Sequence, residues 1–196
     1  MIKVETGSST ILRYDNILDA ETCLEIYHTI LPLSRATAAG TQLPWFEGQT
    51  WNWWQVANPK LKKRIADYKV LIEQLVSEHF DQPLYSEFTD LVLWQTGQSM
   101  NRHKDDGYEV NDPLQYRVVS SVTYINDNFA GGETFIKTEH GYDYISKPQV
   151  GSFVAYLSTD ANAHGVNLVE SGHRLTMPTW FCSDRTRSDC HLRNQF

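Results

Sequence analysis

The chain has 196 residues, 41% of them hydrophobic and 12% aromatic, enough to bury the core of one domain. Its formal net charge of −7 argues against binding nucleic-acid phosphates, which needs clustered Lys and Arg, and no apolar run approaches the ~18 residues of a membrane span. Met1-Ile2-Lys3-Val4-Glu5-Thr6 lacks the apolar core of a secretion signal, and Cys23, Cys182 and Cys190 are too few and too irregular for a disulfide framework. A cytoplasmic protein with reduced thiols is therefore expected.

The first half reads as largely helical. Asp19 can cap a helix through Leu24, Ile26, Tyr27, Ile30 and Leu31 that Pro32 ends. Asn58-Pro59 starts a second helix. In it Leu61, Ile65, Tyr68, Ile72, Leu75 and His79 form one apolar stripe at helical spacing, which needs a sheet to pack on. From Thr89 onward the texture changes to short strand-like runs at 91–94, 118–125, 133–136, 142–145, 152–157, 164–169 and 175–181. Asn126-Asp127-Asn128 and Gly131-Gly132 supply tight turns between them. The expected fold is mainly β with N-terminal helices: a double-stranded β-helix (jelly roll) braced by two helices. It forms a single domain over 1–196, with helical support over 1–88, the jelly-roll core over 89–182 and a tail over 183–196.

Inside this core, His103 and Asp105 stand at positions i and i+2, so an extended backbone points both to one face. His164 opens a later strand and precedes Gly165, which permits close approach. Two imidazoles and a carboxylate leave open positions on an octahedral ion, the arrangement of non-haem ferrous oxygenases. His28 and His79 lie on helices, His140 beside a turn glycine and His191 in the tail, and these read as surface or packing residues. His173 competes with His164, but it neighbours Arg174, and adjacent strand residues face opposite ways. Arg174 follows His164 across the turn at Ser171-Gly172 and is expected on the neighbouring strand. Its guanidinium can grip a carboxylate with two parallel hydrogen bonds, or pair internally with one of the 24 acidic residues. Spacing alone leaves both open. Strand parity puts Thr176, Pro178 and Trp180 on the face of Arg174.

With these residues in one order, the chain resembles the prolyl 4-hydroxylase-like branch of the Fe(II)/2-oxoglutarate-dependent dioxygenases over 91–182. The matching features are Gly97, His103-Lys104-Asp105, and Arg117 leading into Ser121-Val122-Thr123-Tyr124-Ile125-Asn126. Phe129-Ala130-Gly131-Gly132-Glu133-Thr134-Phe135, Lys147-Pro148, Val150-Gly151-Ser152, His164-Gly165-Val166 and Gly172-His173-Arg174 continue the pattern. The resemblance implies that His103, Asp105 and His164 bind Fe(II) and serve catalysis. It implies that Arg174 holds the distal carboxylate of 2-oxoglutarate, that the Tyr124 hydroxyl supports it, and that Trp180 lines the pocket. It also implies O2 as co-reactant, ascorbate as a possible reductant, and hydroxylation of an unactivated C–H bond as the cosubstrate is converted to succinate. Trp94 and Met100 depart from the pattern, standing where many members carry tyrosines.

The first expectation for substrate is a prolyl residue in a peptide or protein. A free amino acid or small metabolite is the alternative, and a non-enzymatic metal- or acid-binding jelly-roll module the alternative of another class. Nucleic acid and membrane are not expected partners, and the oligomeric state is left open. Two irregular segments flank the presumed mouth. One, 34–57, carries Trp45, Phe46, Trp51, Trp53 and Trp54, mostly expected to pack between helix and barrel, with Trp45 or Trp51 as possible substrate contacts. The other, 104–116, carries Asp106, Gly107, Tyr108, Glu109 and Asp112 and reads as a lid or a solvated turn.

Overall fold

The computed structural model describes residues 1–36, 48–107, 112 and 114–189. Trp45, Phe46, Tyr108, Glu109, Cys190 and His191 lie outside the described residues. Two strands open the chain, β1 (Ile2–Val4) and β2 (Ile11–Asp15), in a half that was expected to be largely helical. Ile11, Leu12 and Arg13 are all buried, so β2 carries no alternation to mark it as a strand. Asp19 caps α1 (Ala20–Ala36), its carboxylate accepting the Thr22 amide at 2.8 Å and the Thr22 hydroxyl at 2.7 Å. Pro32 does not end this helix. It sits on the exposed face, where water can satisfy the carbonyl it frees, while Ile26 and Ile30 hold the other face in the core.

After β3 (Gln49–Asn52), Asn58 caps α2 (Pro59–His79) by accepting the Lys60 amide at 3.0 Å. The strands that follow are β4 (Tyr85–Gln95), β5 (Met100–His103), β6 (Arg117–Tyr124), β7 (Ala130–Gly131), β8 (Thr134–Lys137), β9 (Asp143–Ser146), β10 (Phe153–Leu157), β11 (His164–Val166), β12 (Val169–Ser171) and β13 (His173–Cys182). One sheet has the order β1-β2-β10-β6-β13-β4-β3 and the facing one β5-β11-β8-β9, with β12 and β7 paired between them. Strands β4 to β13, less that small pair, thus form the two four-stranded layers of a jelly roll. The predicted run 164–169 splits into β11 and β12, because the chain crosses there from the small sheet toward the large one.

Alternation divides the large sheet into two faces. Leu91, Leu93, Val119, Leu175 and Met177 point outward and pack with the stripe Leu61, Ile65, Tyr68 and Ile72 of α2, all buried. Full burial of such side chains contributes roughly 1.5–3 kcal/mol each. Trp51 joins this outer cluster, so it packs on the helix side and does not face the mouth; Trp53 is fully buried and Trp54 exposed. Residues of the opposite parity, including Trp94, Tyr124, Arg174 and Tyr156, point into the barrel. Among the described residues, no helix is long and apolar enough to cross a membrane.

A polar knot fastens α2 to the sheet. The buried Lys69 ammonium pairs with Asp189, donates to Thr89 Oγ1 at 2.8 Å and lies 4.6 Å from the Trp53 ring. Asp189 also accepts the Trp53 indole N–H at 3.0 Å and the Ser86 hydroxyl at 3.1 Å. Removing one partner of such a pair leaves the other charge buried without its counter-ion. Asp189→Ala should therefore lose about 3–5 kcal/mol of unfolding free energy in a denaturant titration, and adding Lys69→Met should restore most of it.

Candidate active site

The small sheet brings the two histidines together. His164, the first residue of β11, pairs directly with His103, the last of β5, and their ring centroids lie 4.3 Å apart. Gly165 makes this possible, because a Cβ there would collide with the Phe135 ring and the Met100 carbonyl on the strands either side. Asp105 lies just past the end of β5. Its amide and that of Asp106 donate to the Ser158 carbonyl at 2.8 and 3.2 Å, at the end of β10 in the facing sheet. The three side chains are thereby clamped between the layers.

Their geometry suits a metal ion. Ligand atoms of His103, Asp105 and His164 all lie within 4.8 Å of one another. His164 Nε2 stands 3.4 Å from Asp105 Oδ2 and His103 Nε2 3.6 Å from Oδ1. The Nδ1 atoms lie 2.9 Å from the Asn101 carbonyl and 3.2 Å from the Asn162 carbonyl, so each Nδ1 carries the proton. Both Nε2 lone pairs are left facing the carboxylate. Burial and the neighbouring His164 push the His103 pKa down, favouring the neutral, ligating form. Burial opposes ionisation of Asp105, but where the imidazoles also carry a proton on Nε2, the charge and hydrogen bond of His164, with His103 and Ser120, hold its carboxyl well below the usual range. Trp180 donates its indole N–H to Asp105 Oδ2 at 2.9 Å. Expected to line the pocket, it also orients this carboxylate.

Arg174 is 1% exposed. It does not lie on the strand beside His164; β12 carries the chain across, and β13 runs between β4 and β6 in the facing sheet. Its Nε donates to the Gly132 carbonyl at 2.8 Å, and its terminal nitrogens to Thr134 Oγ1 at 3.0 Å and Thr176 Oγ1 at 3.2 Å. Every partner is neutral, and no described carboxylate lies within 4.0 Å of it, so the internal salt bridge is not formed among the described residues. The Tyr124 ring lies 5.4 Å from the guanidinium, but its hydroxyl is occupied, 2.9 Å from the Ser146 carbonyl and accepting the Thr134 amide at 3.1 Å.

Tyr156 was missed in the sequence. It is 2% exposed and faces into the barrel with its ring 4.5 Å from that of His164, and its hydroxyl makes no hydrogen bond to a described residue. Burial, then the charge of Asp105 and Tyr124, raise its pKa well above the ordinary value despite Arg174. The signal was legible only as strand parity with Val154, since nothing near Tyr156 forms a motif. Asp90 was also missed. It points inward on β4 with 8% exposure, and the Asn52 amide, 3.3 Å away, is its one described hydrogen-bond donor.

Comparison with known proteins matches residues 89–182 to the family model of the 2OG-Fe(II) oxygenase superfamily. These residues belong to that superfamily. A prolyl 3-hydroxylase 2 from Rattus norvegicus is 38% identical over 72 residues, 35% of this chain but only 10% of that protein. A PKHD-type hydroxylase from Psychrobacter sp. (strain PRwf-1) is 34% identical over 112 residues, 55% of this chain and 39% of that protein. The chain thus spans a small part of the curated relatives it matches. The fold is shared with a prolyl hydroxylase from Trichoplax adhaerens, solved with a hypoxia inducible factor oxygen degradation domain peptide fragment. That structure has a TM-score of 0.72 at 16% identity, covering 92% of this chain and 87% of the other.

Asp90 gives this site a signature in stability. Burial lifts its pKa from 3.8 to about 7, against Arg117, Asn52 and Lys69. The folded chain then holds a proton that the unfolded chain has released, so stability falls as pH rises from 3.8 to about 7 and stays lowered above it. Asp90→Asn cannot ionise. It should melt at a higher temperature than the parent above pH 7, with the gap closing as pH falls toward 3.8, measured by thermal denaturation across that range.

Proposed function

We propose that this chain is a 2-oxoglutarate-dependent dioxygenase that hydroxylates an unactivated C–H bond, with a prolyl residue of a peptide or protein as first substrate. The observation that carries the reading is Arg174, a buried guanidinium with only neutral partners among the described residues, in the same barrel as a His-Asp-His cluster. A buried cation of this kind needs an anion, and a ligand carboxylate supplies one. A purely structural metal module has no use for such a clamp, which weighs against the non-enzymatic alternative.

In this reading His103, Asp105 and His164 hold Fe(II), and Arg174, with Thr134 and Thr176, receives the distal carboxylate of 2-oxoglutarate. When bound, the ion and cosubstrate supply the oxidising power that inserts one atom of O2 into the C–H bond as the cosubstrate becomes succinate and CO2. The residues do the rest. Asn101 and Asn162 fix the imidazole tautomers, and Trp180 fixes the carboxylate. Tyr124, its hydroxyl held by Ser146, forms a wall beside Arg174, while Tyr156 offers the free phenol for a cosubstrate oxygen. Support for a prolyl substrate comes from the relatives and from the peptide-bound Trichoplax structure.

Four variants test these roles. His164→Ala should abolish substrate-dependent succinate formation and leave less than one ion bound per chain by metal analysis, while the purified variant remains folded. Arg174→Ala should raise the Michaelis constant for 2-oxoglutarate by roughly 30- to several-thousand-fold, as expected for about 2–5 kcal/mol lost from a desolvated charge pair. Arg174→Lys should be milder, because an ammonium keeps the charge without the fork. Tyr156→Phe should cost about 1–3 kcal/mol of cosubstrate affinity. Metal content should survive all three, and loss of iron from a folded Arg174→Ala protein would refute the clamp.

A further inference from the structure

On the mouth side of the barrel, beyond Thr176, the inward face of the sheet changes character. Pro178 and Trp180 on β13 are half-buried, and Phe88 on β4 is 42% exposed with its ring 6.1 Å from Trp180. Between them, on the same face of β4, lies Asp90. Its neighbour across the β3–β4 ladder is Asn52. A capping box fixes Asn52: its side-chain oxygen accepts the Trp54 amide at 3.3 Å, and its own amide donates to Gln55 Oε1 at 3.0 Å. Only the NH2 group is left to face Asp90 Oδ1. The second carboxylate oxygen receives no hydrogen bond from a described residue.

Among the described residues, the surrounding charges leave this carboxylate without a counter-ion. Lys69 lies on the opposite face of the sheet, paired with Asp189. Glu87 is matched by Arg187, which donates from Nε at 2.7 Å. Arg117 is a cation on this side, and its charge is felt by Asp105, Glu87 and Asp90. It stacks 4.3 Å from the Trp180 ring, however, and makes no ion pair with Asp90. A nine-tenths-buried carboxylate with one neutral donor is costly unless something else completes its shell.

Resting on the dioxygenase reading above, we propose that Asp90, braced by Asn52 and flanked by Phe88, Pro178 and Trp180, is a cation subsite that grips an ammonium or guanidinium beside the carbon being oxidised. The substrate class is then a basic one: a peptide with Lys or Arg next to the target residue, or a compound with a free amino group there. Both sources present the same donor chemistry to Asp90, and Phe88 adds an aromatic surface over which a cation can sit. Burial also lifts the Asp90 pKa to about 7, so the carboxylate that is costly to ionise alone is the one that gains most from a bound cation.

The test is calorimetric binding to the full chain loaded with Mn(II) and 2-oxoglutarate under nitrogen. The probes are matched proline-containing pentapeptides with Lys, Arg, norleucine or Glu beside proline, each with a free or acetylated N-terminus, and free proline against N-acetylproline. The cationic member of a pair should bind ~10-fold or more tightly than its neutral partner, equivalent to ~1.4 kcal/mol. Asp90→Asn should bring the pair within about two-fold, and Asp90→Lys should favour the Glu peptide, with Mn(II) and 2-oxoglutarate affinities unchanged. The acetylated and free N-termini tell a basic side chain from an amino group. Equal binding of the pair, no binding of any cationic probe, or a preference that survives in Asp90→Asn would each overturn the subsite. Repeating the titrations without Mn(II) and 2-oxoglutarate separates the two readings. A chain that binds neither Mn(II) nor 2-oxoglutarate, yet keeps the cation preference in their absence, would sink the dioxygenase and leave the subsite standing.

Discussion

The direct pairing of His103 with His164 is the constraint on which the site depends. Side chains along a strand alternate with period two, so a slip of one residue between β5 and β11 would turn one imidazole out of the barrel. The register is held by the close approach at Gly165 and by packing of Met100 with Val92, Trp94 and Val166 between the sheets. Asp105 is fixed differently, through backbone bonds to Ser158 on the facing sheet and the indole of Trp180. The positions of these three side chains are therefore a property of the two sheets together. A mutation that loosens sheet-to-sheet packing would spread them without touching any of the three.

Two buried polar groups of α2 are paired on the helix side of the large sheet: Lys69 with Asp189 and Thr89, and the Tyr68 hydroxyl, 2.6 Å from that of Thr123. On the barrel side, among the described residues, Arg174 has no anion, Tyr156 no hydrogen-bond partner and Asp90 a single neutral amide. Folding alone penalises each of these, since a buried donor or charge without its partner forfeits its hydration. On the proposed reading, ligands are the missing partners of these three, spaced from Arg174 to the mouth.

Much of this was legible in the sequence, for reasons that can be named. The α2 stripe and the Asn58-Pro59 start were clear because period and cap agree. His103, Asp105 and His164 could be read because short spacing, a turn and a glycine isolate them from the other histidines. The strands β1 and β2 were not, since they are short and β2 is buried on both faces. Pro32 misled because its cost depends on whether solvent reaches the freed carbonyl, which the sequence does not record. Arg174 was placed on the wrong sheet because the crossover through β12 is set by pairing with β7, a partner of two residues with no pattern of its own. Tyr156 and Asp90 were invisible for a related reason. Their meaning lies in partners they lack, and absence of a partner is visible only in three dimensions.

The exposure gradient along β13 bears on how such a site would fill. Arg174 and Thr176 are sealed, whereas Pro178 and Trp180 are half-buried, so the interior opens at the end away from the arginine. On the proposed reading, a dicarboxylate must pass the mouth residues before its distal end meets Arg174. A substrate resting on Pro178, Trp180 and Asp90 would lie across that same opening. Occupancy of the outer position therefore blocks entry to the inner one, and the order of binding, cosubstrate before substrate, follows from the depth at which the sheet sets its two charged residues.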